Sequence, residues 1–164
     1  MAPGTTEETG AFKAPELGVS QWIDADGKPT DQIKLSDFKN KFKVIYCFQS
    51  WCPGCHSTGF PALQEMVNAL SGNDKVVFLA IQTVFEGHDE NTIDKLASTQ
   101  KQYALKIPFG HDAGSEDTNH ISKVMMAYGT GGTPWFILID QWDTVVFADF
   151  NLDVENAIKY LSTL

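Results

Sequence analysis

Two cysteines, Cys52 and Cys55, are the residues of this 164-residue sequence whose type and spacing most clearly indicate chemistry. They enclose Pro53 and Gly54 and follow an unbroken apolar run, Val44 to Phe48. Such a run, without polar alternation, is typical of a strand that is buried on both faces of an α/β sheet. Behind the cysteines, apolar side chains recur with the spacing of one helix face, at Leu63, Met66, Val67 and Leu70. The pair is therefore predicted at the junction of a central strand and a helix.

A thiol at the start of a helix has an altered acidity. With Cys52 as the N-cap, Pro53 takes the first helical position, where its missing N–H costs nothing. The Cys52 sulfur then faces unpaired backbone N–H groups and the positive end of the helix dipole. In such motifs the pKa of the thiol falls from about 8.5 to between about 3.5 and 7.5. Because the thiolate attacks in disulfide exchange and Cys55 is close enough to attack next, the pair is predicted to be a redox-active dithiol.

Three other interpretations of these residues are open at this point. Cys52, Cys55 and His56 also fit the Cys-x-x-Cys-His signature of c-type haem attachment, although a haem needs a crevice and a second axial ligand. A zinc site could recruit Cys47 and His56, but Cys47 lies within the apolar run and no second Cys-x-x-Cys completes a tetrahedral set. A structural disulfide would close so short a loop that it constrains little of the unfolded chain. Redox exchange is favoured over all three.

The composition limits the classes of partner. With 43% hydrophobic and 20% charged residues, the chain resembles an ordinary globular domain, and its length fits one domain. A net charge of −9 disfavours nucleic acid and anionic membrane surfaces. No run is long and apolar enough to span a bilayer, and residues 1–16 lack a signal-peptide pattern. The compartment is left open between the bacterial cytoplasm and, if an export leader was trimmed, the periplasm or cell envelope. We expect a monomer.

The remaining patterns divide the chain into a flexible N-terminal tail, residues 1–15, and one domain, residues 16–164. Asp26-Gly27 predicts the turn of an N-terminal hairpin, and Leu35–Phe38 predicts a short helical turn. Further helices are predicted over residues 91–103, with Ile93, Leu96 and Ala97 facing inward, and over residues 119–128 and 154–164. Further strands are predicted over residues 75–82, 107–111 and 144–150, the last antiparallel to the apolar strand that follows Pro134.

Two motifs carry a family resemblance: Trp51-Cys-Pro-Gly-Cys55 after a buried strand, and Thr133-Pro134 before a later hairpin. Together they resemble the thioredoxin superfamily. The N-terminal hairpin and a helix–strand insertion between Gly87 and His111 are most similar to its TlpA/ResA-like or peroxiredoxin-like (AhpC/TSA, redoxin) branch. The resemblance implies an α/β thioredoxin fold, a central mixed β-sheet flanked by helices. Because the sequence has no nucleotide-binding glycine motif, we expect no cofactor and an upstream partner dithiol, reductant or oxidant, as the source or sink of electrons.

The resemblance also implies roles for single residues. Cys52 would be the exposed nucleophile and Cys55 the buried resolving thiol. Pro134 would match the cis-proline of the family, packed against the cysteine pair, and the backbone of Thr133 would pair with an extended substrate peptide. For Trp135 a role as a structural aromatic residue is favoured over a role in contacting the substrate. The residues expected to contact a disulfide-containing protein substrate are Trp51, Pro53, Gly54, Thr133 and Pro134.

The chain departs from the family pattern at the place of a proton-transfer group. Where thioredoxin has a buried Asp this chain has Tyr46, and where ResA-type proteins have a Glu it has Thr58. Glu86 or water is left as the candidate for proton transfer to Cys55. Pro61 resembles the helix-kinking proline of the family, displaced by one residue, and is predicted to bend the helix.

The function predicted from these residues is thiol–disulfide oxidoreductase of the protein-disulfide reductase type. The first alternative is a peroxiredoxin-like antioxidant, a thiol peroxidase. Aligned on Cys52, the Thr and Pro positions of its motif hold Gln49 and Ile45, and the chain contains no Arg to hold a peroxide. The second alternative is a thioredoxin-fold binding or chaperone module, although such modules usually lose one cysteine. All the histidines are expected at the surface, the first facing solvent: His56, His88, His111 and His120.

Overall fold

The apolar run before the cysteines forms the central strand of a mixed sheet of eight strands. The computed structural model describes residues 12–164, so the predicted tail at residues 1–11 lies outside the described residues. The strands are β1 (Phe12–Lys13), β2 (Gln21–Ile23), β3 (Pro29–Thr30), β4 (Phe42–Phe48), β5 (Val76–Thr83), β6 (Phe109–Asp112), β7 (Trp135–Ile139) and β8 (Thr144–Asp149).

The order of strands across the sheet is β1-β8-β7-β4-β5-β6-β2-β3. Strands β4, β5 and β6 are parallel, whereas β7, β8 and β1 follow antiparallel on one side and β2 and β3 on the other. The hairpin of β2 and β3 closes at the predicted Asp26-Gly27 turn. This arrangement confirms the predicted α/β fold, a mixed sheet flanked by helices with an N-terminal hairpin.

Helices pack on both faces of the sheet. They are α1 (Phe60–Ala69), α2 (Lys95–Gln102), α3 (Lys123–Tyr128) and α4 (Val154–Leu161), with 3-10 turns at Leu35–Phe38 and Glu116–Thr118 and a π-helical turn at Cys55–Gly59. Side chains of β4 alternate between two apolar clusters, as the pleat of a strand requires. Val44, Tyr46 and Phe48 join the cluster under α1, α2 and α4. Ile45 and Cys47 join the cluster under α3 on the opposite face.

The helix predicted over residues 91–103 is shorter in the structure, because α2 begins only at Lys95. Leu96 is buried, but Ile93 is 43% exposed and Ala97 is exposed, so the prediction that these two face inward was wrong. The preceding residues are held as turns by contacts with the rest of the chain. The Asn91 side chain accepts the Trp51 N–H at 3.0 Å, and the Thr92 carbonyl accepts a hydrogen bond from Gln82 at 3.0 Å.

The helix predicted over residues 119–128 also begins later. Asn119 and His120 have positive φ angles, 56° and 58°, which a right-handed helix does not allow. Ser122 then caps α3, since its side chain accepts the Met125 N–H. The helix consequently has its first residue at Lys123.

Residues 12–13, which were predicted to belong to the N-terminal tail, form a strand at the edge of the sheet. Phe12 pairs with Val145 and Lys13 with Thr144, which adds β1 to the edge of the sheet. The hydroxyl of Tyr128 donates to the Pro15 carbonyl on the same side of the molecule. For residues 12–15 the predicted tail is therefore wrong.

Candidate active site

The two cysteines lie where β4 gives way to the helix, as predicted. Their sulfur atoms are in disulfide contact, and their Cα atoms are 5.3 Å apart. Cys52 retains 9% of its surface exposed, whereas Cys55 is completely buried. The exposures differ in the direction predicted for Cys52 and Cys55, whose attacking and resolving roles stay predictions.

Cys52 occupies the N-cap position of the helix. Pro53 and Gly54 already have helical conformation, and the Cys55 N–H donates to the Cys52 sulfur at 3.1 Å. A sulfur in this place receives a backbone donor that would otherwise be unpaired. The expected lowering of the Cys52 pKa by this environment stays a prediction.

The helix after the cysteines is irregular before it becomes an α-helix. Residues Cys55–Gly59 form a π-helical turn, and Pro61 follows at the start of α1 rather than in its interior. Proline has no N–H to donate to the carbonyl four residues earlier, here that of Ser57. The predicted bend at Pro61 stays a prediction, and the structure adds a π-helical turn that ends at Gly59, two residues before the proline.

Thr133 and Pro134 are joined by a cis peptide bond at the start of β7. The Pro134 ring lies beside the cysteine pair, because a Cβ placed on Gly54 would be 3.4 Å from Pro134 Cδ. Thr133, Pro134 and Gly54 are half-buried, and Pro53 is exposed. The structure thus brings Thr133 and Pro134 next to the Pro53-Gly54 dipeptide between the cysteines, and their contact with a substrate stays a prediction.

The two tryptophans differ in their surroundings. Trp51 is 46% exposed, and its indole lies directly over Gly87, where a Cβ would come within 2.5 Å of the ring. Trp135 is half-buried, packs with the cluster on the opposite face of the sheet, and meets Phe150 edge-to-face at 4.7 Å. The structure agrees with a structural role for Trp135 and leaves Trp51 at the accessible rim.

His56 does not face solvent, so that prediction was wrong. Its Nε2 contacts the Ser50 carbonyl at 2.7 Å, and its Nδ1 contacts the Tyr103 hydroxyl. A carbonyl only accepts, so Nε2 carries a proton and donates it to Ser50. The ring therefore joins the residue after Cys55 to the loop before Cys52 and to the end of α2.

His111 was predicted at the surface, but it is buried at the end of β5 and β6. Its Nδ1 lies 3.1 Å from Gln82 Nε2, which must be the donor because the Gln82 carbonyl oxygen accepts from Ser50. Burial lowers the pKa of His111. His88 and His120 are exposed, as predicted.

Three buried amide side chains hold the loop that leads to Cys52, and sequence reasoning assigned none of them this role. Gln49 Oε1 accepts the Phe85 N–H at 3.1 Å, and Gln82 Oε1 accepts the N–H and hydroxyl of Ser50 at 3.0 and 2.5 Å. Asn91 accepts the Trp51 N–H. Isolated amides in a sequence give no signal of such partners, which lie 32 to 40 residues away.

Cys47 is separated from the cysteine pair by the sheet. It belongs to the cluster on the face opposite that of Cys52 and Cys55, and burial raises the pKa of its thiol. Both ring nitrogens of His56 also have protein partners. The zinc interpretation, which needed Cys47 and His56 beside the pair, is therefore contradicted by the geometry.

Tyr46 stands at the strand position where thioredoxin has a buried Asp, but it contacts the Cys55 backbone and not the thiol. Its buried hydroxyl donates to the main-chain carbonyl of Cys55 at 2.9 Å. Glu86 is exposed, and its backbone N–H is bound by Gln49. The Cys55 backbone thus has two side-chain partners, the Cys52 sulfur at its N–H and the Tyr46 hydroxyl at its carbonyl.

The sheet, the helix and the cysteine pair together define a thioredoxin-fold protein with a Cys-x-x-Cys site. The family model of the redoxins matches the chain over residues 12–157. This match covers most of the sequence, and the chain belongs to the redoxin family of the thioredoxin superfamily.

Solved structures with the same fold agree. The thioredoxin-like superfamily protein SPOA0173 is 32% identical, with a TM-score of 0.79 over 93% of this chain and 96% of that one. A thiol-disulfide isomerase from Corynebacterium glutamicum is 27% identical, with a TM-score of 0.75 over 92% and 96%. A secreted Mycobacterium tuberculosis disulfide oxidoreductase homologous to E. coli DsbE is 20% identical and shares the fold, with a TM-score of 0.60 over 88% and 95%. Within residues 12–164 no helix is long and apolar enough to cross a membrane.

Proposed function

We propose that this protein exchanges its Cys52–Cys55 dithiol for a disulfide in protein substrates. The observation that carries the proposal is the unequal placement of the two sulfurs at the helix start. Cys52 Sγ accepts a backbone N–H at 3.1 Å and the residue keeps 9% of its surface exposed, while Cys55 is completely buried. Membership of the redoxin family and likeness to thiol-disulfide oxidoreductases support the same chemistry.

The reaction takes place in two exchanges. The Cys52 thiolate attacks one sulfur of the substrate disulfide, a mixed disulfide forms, and the other substrate sulfur leaves as a thiolate that takes up a proton. Cys55 then loses its proton and attacks Cys52, which releases the second substrate thiol and closes the Cys52–Cys55 bond. An upstream partner dithiol reduces the pair again, and in the reverse direction the same steps oxidise a substrate.

Substrate contacts are proposed for the rim of the site. The proposed contacts are Trp51, Pro53 and Gly54 around the cysteines, together with Thr133 and Pro134, whose proline ring lies against Gly54. An extended peptide between them would pair with the Thr133 backbone in the manner of an added strand, and the exposed Trp51 indole would cover apolar substrate side chains.

Dithiol exchange is preferred over thiol peroxidase chemistry because residues of the peroxidase pattern are missing. In the peroxidase alignment Gln49 replaces the Thr hydroxyl, and its Oε1 accepts the N–H groups of Phe85 and Glu86, at 3.1 and 3.4 Å. With no Arg in the chain, the charge on a departing oxygen also has no guanidinium to stabilise it.

Cysteine substitutions test the proposal in a disulfide-reduction assay with insulin and a chemical dithiol as the electron source. We expect Cys52→Ser to abolish activity and Cys55→Ser to accumulate a covalent mixed disulfide that a reductant releases. Cys47→Ala is the matched control, since its sulfur lies on the other face of the sheet, and should retain activity. Undiminished activity in Cys52→Ser would refute the proposed function, and binding of partners without turnover in the wild type would favour a binding module.

A further inference from the structure

The side chain of Tyr46 reaches into the first turn of the cysteine helix. Its hydroxyl donates to the Cys55 carbonyl at 2.9 Å, and the same carbonyl accepts the Phe60 N–H across the π-helical turn. Two donors therefore converge on the main chain of the buried cysteine. Tyr46 comes from the central strand β4, so this contact ties the cysteine to the most buried element of the sheet.

Gly59 provides the space for this hydroxyl. A Cβ at Gly59 would lie 2.1 Å from Tyr46 Oη and 2.8 Å from two ring carbons, closer than side chains tolerate. The backbone of Gly59 is ordinary right-handed helix, with φ −67° and ψ −56°, so its conformation does not require glycine. Glycine is required at this position because the Tyr46 hydroxyl and ring approach it so closely.

The ring of Tyr46 is held from several directions. It stacks on Phe48 at 5.9 Å and lies 4.9 Å from Phe60 and 5.0 Å from Phe136, measured between ring centres. Burial raises the pKa of the hydroxyl well above its ordinary value. The group consequently keeps its proton, donates it to the Cys55 carbonyl, and is not a base for the Cys55 thiol.

We propose that Tyr46 is the positioning residue of the resolving step: its hydroxyl, lodged against Gly59, holds the Cys55 backbone so that the Cys55 sulfur is aimed at Cys52. This inference rests on the proposed dithiol exchange. In that step the Cys55 thiol gives its proton to solvent, its sulfur bonds to Cys52, and the Cys52–substrate bond breaks. The departing substrate thiolate takes up a proton from solvent, while Tyr46 neither gains nor loses one.

The test follows the mixed disulfide after the reduced protein is mixed with a disulfide-linked peptide, by acid quenching and mass measurement. In Tyr46→Phe the resolving step should slow about two- to tenfold, as expected for one neutral hydrogen bond, while the first attack by Cys52 keeps its rate. Gly59→Ala should slow the same step, because the new Cβ displaces the hydroxyl. Tyr160→Phe is the matched control, since that side chain is 53% exposed, and should behave as the wild type.

The outcomes separate the two proposals. If Cys55→Ser forms no mixed disulfide and the wild type releases no peptide thiol, the proposed function itself is refuted. A wild type that turns over normally, with Tyr46→Phe and Gly59→Ala resolving at the same rate, refutes the positioning role alone. Equal slowing of the first attack and the resolving step also refutes it, because general structural damage affects both. All rates are measured where urea titration shows each variant folded, and Gly59→Ala decides the question if Tyr46→Phe does not fold.

Discussion

At the scale of single residues, side chains of the same type differ in burial and hydrogen bonding because of the groups that surround them. Cys52 and Cys55 are one helical turn apart, yet the Cys52 sulfur accepts an N–H in a residue that is 9% exposed, whereas Cys55 is fully buried. The same holds for the histidines. His88 is exposed, whereas His111 is buried and its Nδ1 accepts a hydrogen bond from Gln82. The burial of a single histidine should therefore be measurable in the pH dependence of stability.

We predict that acid destabilises the protein through His111. Burial lowers its pKa from 6.5, and the neighbouring His88 lowers it further, although Asp112 and Asp94 oppose the shift. Between the lowered pKa and about 6.5 the unfolded chain binds a proton that the folded state does not, so the free energy of unfolding falls as pH falls through this window. Protonation would also remove the acceptor for Gln82.

The measurement is urea unfolding from about pH 7.5 to about pH 5.5, a range that spans the ordinary pKa of histidine. His111→Gln should lose part of the wild-type decline in stability over this window. His120→Gln changes an exposed side chain and should retain the decline. An unchanged decline in His111→Gln would contradict the assignment.

At the scale of elements, the site depends on a loop that is held by hydrogen bonds to neighbouring segments. Residues 49–51 connect β4 to the cysteine helix, and each forms a hydrogen bond with a segment more than thirty residues away in the chain. Gln82 at the end of β5 has the most partners. Its amide accepts from Ser50 and donates to the Thr92 carbonyl and to His111.

We predict that Gln82→Leu destabilises the protein by about 2–3 kcal/mol, because it leaves several buried polar groups without partners. It should also increase hydrogen exchange at the backbone N–H of Ser50. Urea unfolding and amide exchange measure the two effects. Gln102→Leu, a change of the same type at an exposed position of α2, should leave both nearly unchanged, and equal stability of the two variants would contradict this assignment.

At the scale of the whole molecule, the strongly patterned parts of the sequence predicted the structure well. The apolar run of β4, the periodic face of α1 and the Asp26-Gly27 turn each carry a local signal, and each is confirmed. The predicted starts of α2 and α3 were wrong. Tertiary contacts of Asn91 override the helical pattern before α2, and the left-handed conformations of Asn119 and His120 override it before α3.

The candidate site was predictable only in part, because tertiary contacts leave no local signal in the sequence. The cysteines and Thr133-Pro134 carry a motif. The contacts of His56 and Tyr46 depend instead on the tertiary structure. His56 contacts the Tyr103 hydroxyl, and the Tyr46 hydroxyl lies against Gly59. A lone tyrosine in an apolar strand gives no sign that its hydroxyl will meet the backbone of a cysteine nine residues later.

The reduction potential of the Cys52–Cys55 pair tests the central claim most directly. The protein is equilibrated with glutathione mixtures, trapped, and the disulfide fraction is read from the mass. We predict one two-electron transition, lost in Cys52→Ser, with a midpoint between about −270 mV for a thioredoxin-like reductant and about −120 mV for a strong oxidant. If no disulfide forms between Cys52 and Cys55 at any potential, the proposed dithiol exchange is wrong.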